Sequence, residues 1–131
     1  MRKLPEFKAD FFKALAHSIR IQIIDCLRDN EKTVNQLRDK LQIEGPNVSQ
    51  QLAILRKNNI VSTRKKGSNV FYSISDPAIF KLLDVVKVIF NNHLGGIKDL
   101  LKKLQVFVGT QFLINESLTS SLVETLTFIQ A

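Results

Sequence analysis

The chain has 131 residues, 44% of them apolar and 24% charged, which is enough for one domain with a real core. Its net charge of +7 is concentrated in residues 1–105, which hold all 19 Lys and Arg residues, so a polyanion partner suits the body of the chain. A membrane span is excluded by the shortness of every apolar run, a secretory signal by the charged opening "MRKLPEFKADFF", and an internal disulfide by the single cysteine, Cys26, which fits a reducing cytoplasm.

In chain order, "FKADFFKALAH" (7–17) gathers Phe7, Phe11, Phe12 and Leu15 on one broad apolar face and predicts a first helix. Ser18 is placed to cap a second, "IRIQIIDCLRDN", with Ile19, Ile23, Ile24, Cys26 and Leu27 inward. Thr33 caps a third, "VNQLRDKLQI", which turns Val34, Leu37 and Leu41 inward. "EGP" (44–46) is a turn, and "NVSQQLAILRK" beyond it is a fourth helix with Val48, Leu52 and Leu55 facing the core. The period then changes. "IVSTRKK" and "VFYSI", separated by "GSN", predict a β-hairpin. After Asp76-Pro77, "AIFKLLDVVKVIFNNHL" is helical and apolar nearly all round, so it needs a cover on both sides, which a second subunit would supply. "GGIKDLLKKL" (95–104) reads as a separate short helix after a Gly-Gly break. In the tail, "VFVGTQFLIN" is β-prone and "SLTSSLVETLTFI" has a helical pattern. The tail is open between packing on the body, extending a dimer interface and staying disordered. The division expected is a domain over 1–93 and a C-terminal extension over 94–131.

The fold class is therefore mainly α with a small β-hairpin wing: a winged helix-turn-helix, with helices three and four as the motif. The second helix of such a motif enters the major groove, and its N-terminal residues meet base edges. Amide and hydroxyl side chains both donate and accept, which suits base edges, whereas basic groups suit phosphates. Asn47, Ser49, Gln50 and Gln51 lead the fourth helix and are the expected base contacts. On a helical wheel Gln50 points most directly outward and Gln51 lies nearest the inward stripe. Thr33, Arg56, Lys57, Arg64, Lys65, Lys66, Ser68 and Asn69 are the expected phosphate contacts.

Two stretches carry a family resemblance. "ALAHSIRIQIIDCL" and "NVSQQLAILRKNNIVSTRKKGSNVFYSI" resemble the matching segments of the ArsR/SmtB winged-helix repressors, and the likeness covers residues 14 to 93. It implies a homodimer joined through the first and last core helices, with Phe11, Leu83, Val86 and Phe90 in the interface. It also implies binding to an imperfect palindromic operator, released by an inducer.

The family's usual metal sites are not matched. Thr33 and Asn35 stand where one site type needs a pair of thiolates, and neither is a useful ligand for a soft metal. Of the four positions of the other type, Asp76 remains, while Ala78, Ile89 and Asn92 occupy the rest. One carboxylate cannot hold zinc. His17 and His93 have no partners at ligand spacing, and Cys26 on an inward face reads as a small hydrophobe. No cofactor and no metal are expected. The partners expected are an operator duplex, a second copy of the chain and an effector of unknown chemistry, with no membrane. Enzyme chemistry is not expected, because no phosphate loop, carboxylate pair or nucleophile-base set can be placed in one cleft. Two alternatives stay open: a protein-interaction module with an apolar docking tail, and a repressor with a non-standard metal or thiol sensor.

Overall fold

The computed structural model describes residues 2–111 and 124–125. The chain divides into two compact units, 1–81 and 82–131. The first holds α1 (Leu4–Leu15), α2 (Ser18–Cys26), α3 (Val34–Leu41), α4 (Gly45–Lys57), β1 (Val61–Lys66), β2 (Asn69–Ile74) and the start of α5 (Ala78–Gln111), whose remainder belongs to the second. This is the predicted mainly α chain with a hairpin wing.

The core of the first unit is built at the spacing read from the sequence. Ile23 and Ile24 of α2, Leu37 of α3, and Val48, Leu52 and Leu55 of α4 are fully buried together with Ile60. Cys26 is buried, and that burial pushes its thiol up from the ordinary range. It is held protonated and acts as the small hydrophobe expected.

Helix ends explain where each element stops. Thr33 caps α3 in a reciprocal box: Gln36 N–H donates to Thr33 Oγ1 at 3.2 Å, and Thr33 N–H donates to Gln36 Oε1 at 2.9 Å. The cap of α2 is His17 rather than Ser18, because Ser18 is already helical and Ile19 N–H donates to His17 Nδ1 at 3.1 Å. α2 also ends at Cys26, short of the predicted Asn30. Lys32 is the cause. It is 8% exposed, and its ammonium donates to the Cys26 carbonyl and, at 2.7 Å each, to Asp29 Oδ1 and Asn30 Oδ1. A buried cation is tolerated only with such a set of acceptors, and gathering them turns the chain out of the helix.

α3 ends on Gln42 in the left-handed conformation, and the helix-turn-helix turn lies at 42–44. Gly45, expected in that turn, instead opens α4, and Pro46 lies in the first turn of the helix as expected, where its missing N–H costs nothing. At the other end of α4, Asn59 takes φ 57°, Ile60 N–H donates to Leu55 O at 2.9 Å and Asn59 N–H to Arg56 O at 3.0 Å. This Schellman closure delivers the chain into β1. β1 and β2 pair antiparallel from Val61↔Ile74 to Lys66↔Asn69 around a Gly67-Ser68 turn. Gly67 carries φ +63°, which a side chain would resist. Lys32 backbone bonds to Tyr72 at 2.8 and 3.0 Å tie the wing to the loop before α3.

Two expectations for the C-terminal part are corrected. Gly95-Gly96 does not break the helix, and 106–111 is helical rather than β-prone: α5 runs unbroken from Ala78 to Gln111. The apolar positions keep one phase across the glycines, and that continuity outweighs a propensity cost of about 1 kcal/mol per glycine. The rest of the β-prone stretch, and all of the predicted tail helix except the helical pair 124–125, lie outside the described residues.

Candidate nucleic-acid interface

The face of α4 is set by its buried side. Val48, Gln51, Leu52 and Leu55 point inward, which leaves Ser49 and Gln50 exposed and Asn47 half-buried at the start of the helix. Arg56 and Lys57 are exposed in its last turn. The helix thus presents uncharged donors and acceptors first and cations last, and Gln50 points outward as the wheel required.

Gln51 is the correction. It was expected at the base-contacting tip and is instead 7% exposed. Its Oε1 accepts from Arg20 Nη1 at 2.9 Å, and its Nε2 donates to Asn47 Oδ1 at 3.1 Å. Arg20 in turn donates through Nε to the Ala14 carbonyl at 2.6 Å. Buried and with both ends of its amide bonded inside the fold, Gln51 is not presented on the exposed face of α4.

The wing carries the predicted cations. Lys65, Lys66, Ser68 and Asn69 are exposed at or beside its tip. Arg64 is more constrained than its neighbours. Its Nη2 donates to Glu31 Oε1, its Nε donates to Glu31 Oε2 at 3.2 Å, and its guanidinium lies 5.0 Å over the Phe71 ring. This pairing holds the Glu31 carboxyl below the ordinary glutamate range and raises Arg64. A shallow cleft between α4 and the wing is lined by Ser49, Ala53, Arg56, Lys57 and Tyr72. Tyr72 was not among the predicted contacts. Thr33, expected at a phosphate, is half-buried with its hydroxyl oxygen accepting in the capping box, so only its proton remains to donate.

The two metal positions of the resemblance do not fit a metal. Thr33 Oγ1 is engaged as a cap, and Asp76 Oδ1 accepts from Ala78 N–H at 2.9 Å to start α5. Among the described residues, no three His, Cys, Asp or Glu side chains come together. The expected dimer residues are in view: Leu83 and Phe11 are half-buried, while Val86 and Phe90 are 50% and 48% exposed.

Comparison with known proteins bears on this arrangement. Residues 17–63 match the model of the arsR family of bacterial regulatory proteins. An HTH-type transcriptional regulator of Mycobacterium tuberculosis, Rv0081, is 40% identical over 85 residues, which is 64% of this chain and 75% of that protein. The chain belongs to the arsR family. The crystal structure of Rv0081 superposes with a TM-score of 0.65 at 36% identity, covering 73% of this chain and 97% of that one. A biofilm growth-associated repressor of Agrobacterium fabrum is 34% identical over 90 residues, 69% of this chain and 77% of that protein. A homodimeric winged helix-turn-helix DNA-binding domain from Mycobacterium bovis matches with a TM-score of 0.63 at 28% identity, over 70% of this chain and 84% of that one. This arsR-family chain is thus a transcriptional regulator with a DNA-binding winged helix-turn-helix, and its relatives are regulators rather than enzymes. Among the described residues no helix is long and apolar enough to cross a membrane.

Proposed function

We propose that the protein is a homodimeric repressor that binds an imperfect palindromic operator in the cytoplasm. Asn47, Ser49 and Gln50 reach base edges. Arg56, Lys57, Lys65, Lys66, Ser68, Asn69 and the Thr33 hydroxyl meet phosphates, and Arg64 is shared between phosphate and Glu31. The observation that carries this reading is the order of side chains on α4, with exposed uncharged polar groups in its first turns and cations in its last. A site for non-specific charge attraction would need no such order.

A second copy is supported by the apolar surface a single copy leaves open. Leu4, Phe7 and Phe12 of α1 are 61%, 53% and 51% exposed, and Val85, Val86, Ile89 and Phe90 of α5 lie between 48% and 61%. Surfaces of this kind are normally covered, and the Mycobacterium bovis relative is homodimeric. The repressor direction follows the Agrobacterium relative's name. A signal other than metal at either position is supported by the bonds that Thr33 and Asp76 accept at helix starts and by the absence, among the described residues, of any cluster of three His, Cys, Asp or Glu. An effector, where one acts, is of another chemistry.

Selection of bound duplexes from a random pool tests the reading. The expected product is an inverted repeat whose half-site centres lie about one duplex turn apart. A pool with no enriched sequence, or a single unrepeated half-site, overturns it.

A further inference from the structure

The side-chain amide of Gln51 has one permitted direction, and that direction is passed on to the surface. A guanidinium only donates. Arg20, held by its Nε–H to the Ala14 carbonyl at 2.6 Å, points Nη1 at Gln51 from 2.9 Å and must therefore meet the oxygen end of the amide. The NH2 end of Gln51 is turned along α4 to Asn47 Oδ1 at 3.1 Å. Gln51 is 7% exposed, so water cannot readily replace either bond if the amide turns over. The oxygen of Asn47 is thereby turned toward the buried Gln51, which already donates to one of its lone pairs. Among the described residues, no group takes a hydrogen bond from its Nδ2. What Asn47 offers at the start of α4 is its NH2 group.

We propose that Asn47 is a donor-only reader of the duplex, and that Arg20 and Gln51 are positioning residues that set its polarity. This rests on the reading that the start of α4 faces DNA. A free asparagine can pair with adenine through both ends of its amide, accepting from N6 and donating to N7. Asn47 cannot, because its oxygen is turned inward. It takes an acceptor: a purine N7, a carbonyl O6 or O4, or a phosphate oxygen. It therefore does not distinguish adenine from guanine by the exocyclic amine.

The experiment compares full-length variants by anisotropy titration on the selected duplex, with thermal melting run alongside. Asn47→Asp keeps an oxygen to accept from Gln51, so melting is unchanged, but it sets a carboxylate oxygen where the donor stood. Its affinity is expected to fall about tenfold or more below that of Asn47→Ala, since an acceptor facing an acceptor is worse than a gap. Gln51→Glu still receives Arg20 but cannot donate to Asn47. The Asn47 amide then turns over and presents its oxygen, so this variant should lose affinity as Asn47→Asp does. Asn47→Asp binding as well as Asn47→Ala overturns the proposal. If instead Gln50→Ala and Ser49→Ala both bind like the wild type, the orientation of α4 on DNA is itself wrong. Duplexes carrying 7-deazapurines or methylphosphonates separate the acceptors. The penalty of Asn47→Ala vanishes on the first if the partner is N7 and on the second if it is phosphate; a penalty unchanged on both, with carbonyl-lacking base analogues also without effect, contradicts an acceptor partner.

Discussion

At the scale of single residues, the account turns on which polar groups are free and which are engaged. Gln50 is exposed and central to the outward face of α4. Gln50→Ala should change the preferred base at one position per half-site, at a cost of about 1–3 kcal/mol there. Repeating the selection with the variant measures it, and an unchanged consensus would contradict the assignment. Glu31 is engaged by Arg64, whose hydrogen bonds keep its carboxyl below the ordinary glutamate range. A depressed carboxylate contributes stability above its unfolded pKa and loses it as pH falls through the folded value. Following the Glu31 carboxyl by NMR should therefore give a midpoint on the acid side of free glutamate, returning upward in Arg64→Met. The faces of the helices were legible from spacing, which is why Val48, Leu52 and Leu55 lie where the sequence put them. Gln51 was legible only in part: its wheel position lies nearest the inward stripe, but the bond that holds it comes from Arg20 on another helix. The Glu31–Arg64 pair was hidden for the same reason, because local spacing does not record contacts between distant parts of the chain.

At the scale of elements, the proposed division gives the wing the phosphate contacts and α4 the sequence reading. Lys65 and Lys66 are exposed on β1 and carry none of the core. Lys65→Ala with Lys66→Ala should weaken selected and random duplexes alike. It should also flatten the plot of log affinity against log salt by about 3.6, the release expected for two phosphate contacts from each of two copies. A loss confined to the selected duplex would contradict that role. For α5, a Cβ built on Gly95 or Gly96 meets nothing within 4 Å. Gly96→Ala should raise unfolding stability by about 0.5–1 kcal/mol in a denaturant titration. A decrease would show that the position is closely approached by something the single chain does not contain. The Gly-Gly break was a sound local expectation that a longer-range pattern overrode. Propensity acts residue by residue, whereas an apolar phase that continues on both sides of the glycines rewards one unbroken helix. The caps divide along the same line. Thr33 as a cap is a local signature and was read correctly, but the early end of α2 goes with Lys32 folding back on Cys26, Asp29 and Asn30, which no local signature announces.

At the scale of the whole molecule, the chain keeps the winged helix-turn-helix of its family, while two of the positions where the resemblance puts metal ligands, Thr33 and Asp76, accept bonds at helix starts. The resemblance over 14–93 was legible because it lies in the core spacing, the recognition helix and the wing, and the family model matches residues 17–63 within it. Beyond it, the sequence had only propensity to offer, which is why the continuation of α5 was missed. The central claim is that two copies present the start of α4 to adjacent grooves and read bases there. Its most direct test is one titration of the full chain, at a single salt concentration, against the selected inverted repeat and against a scrambled duplex of the same length and composition. The account predicts binding to the repeat as a dimer, tighter than to the scramble by about a thousandfold or more. Equal affinity for the two duplexes, or saturation by one chain per repeat, would contradict it.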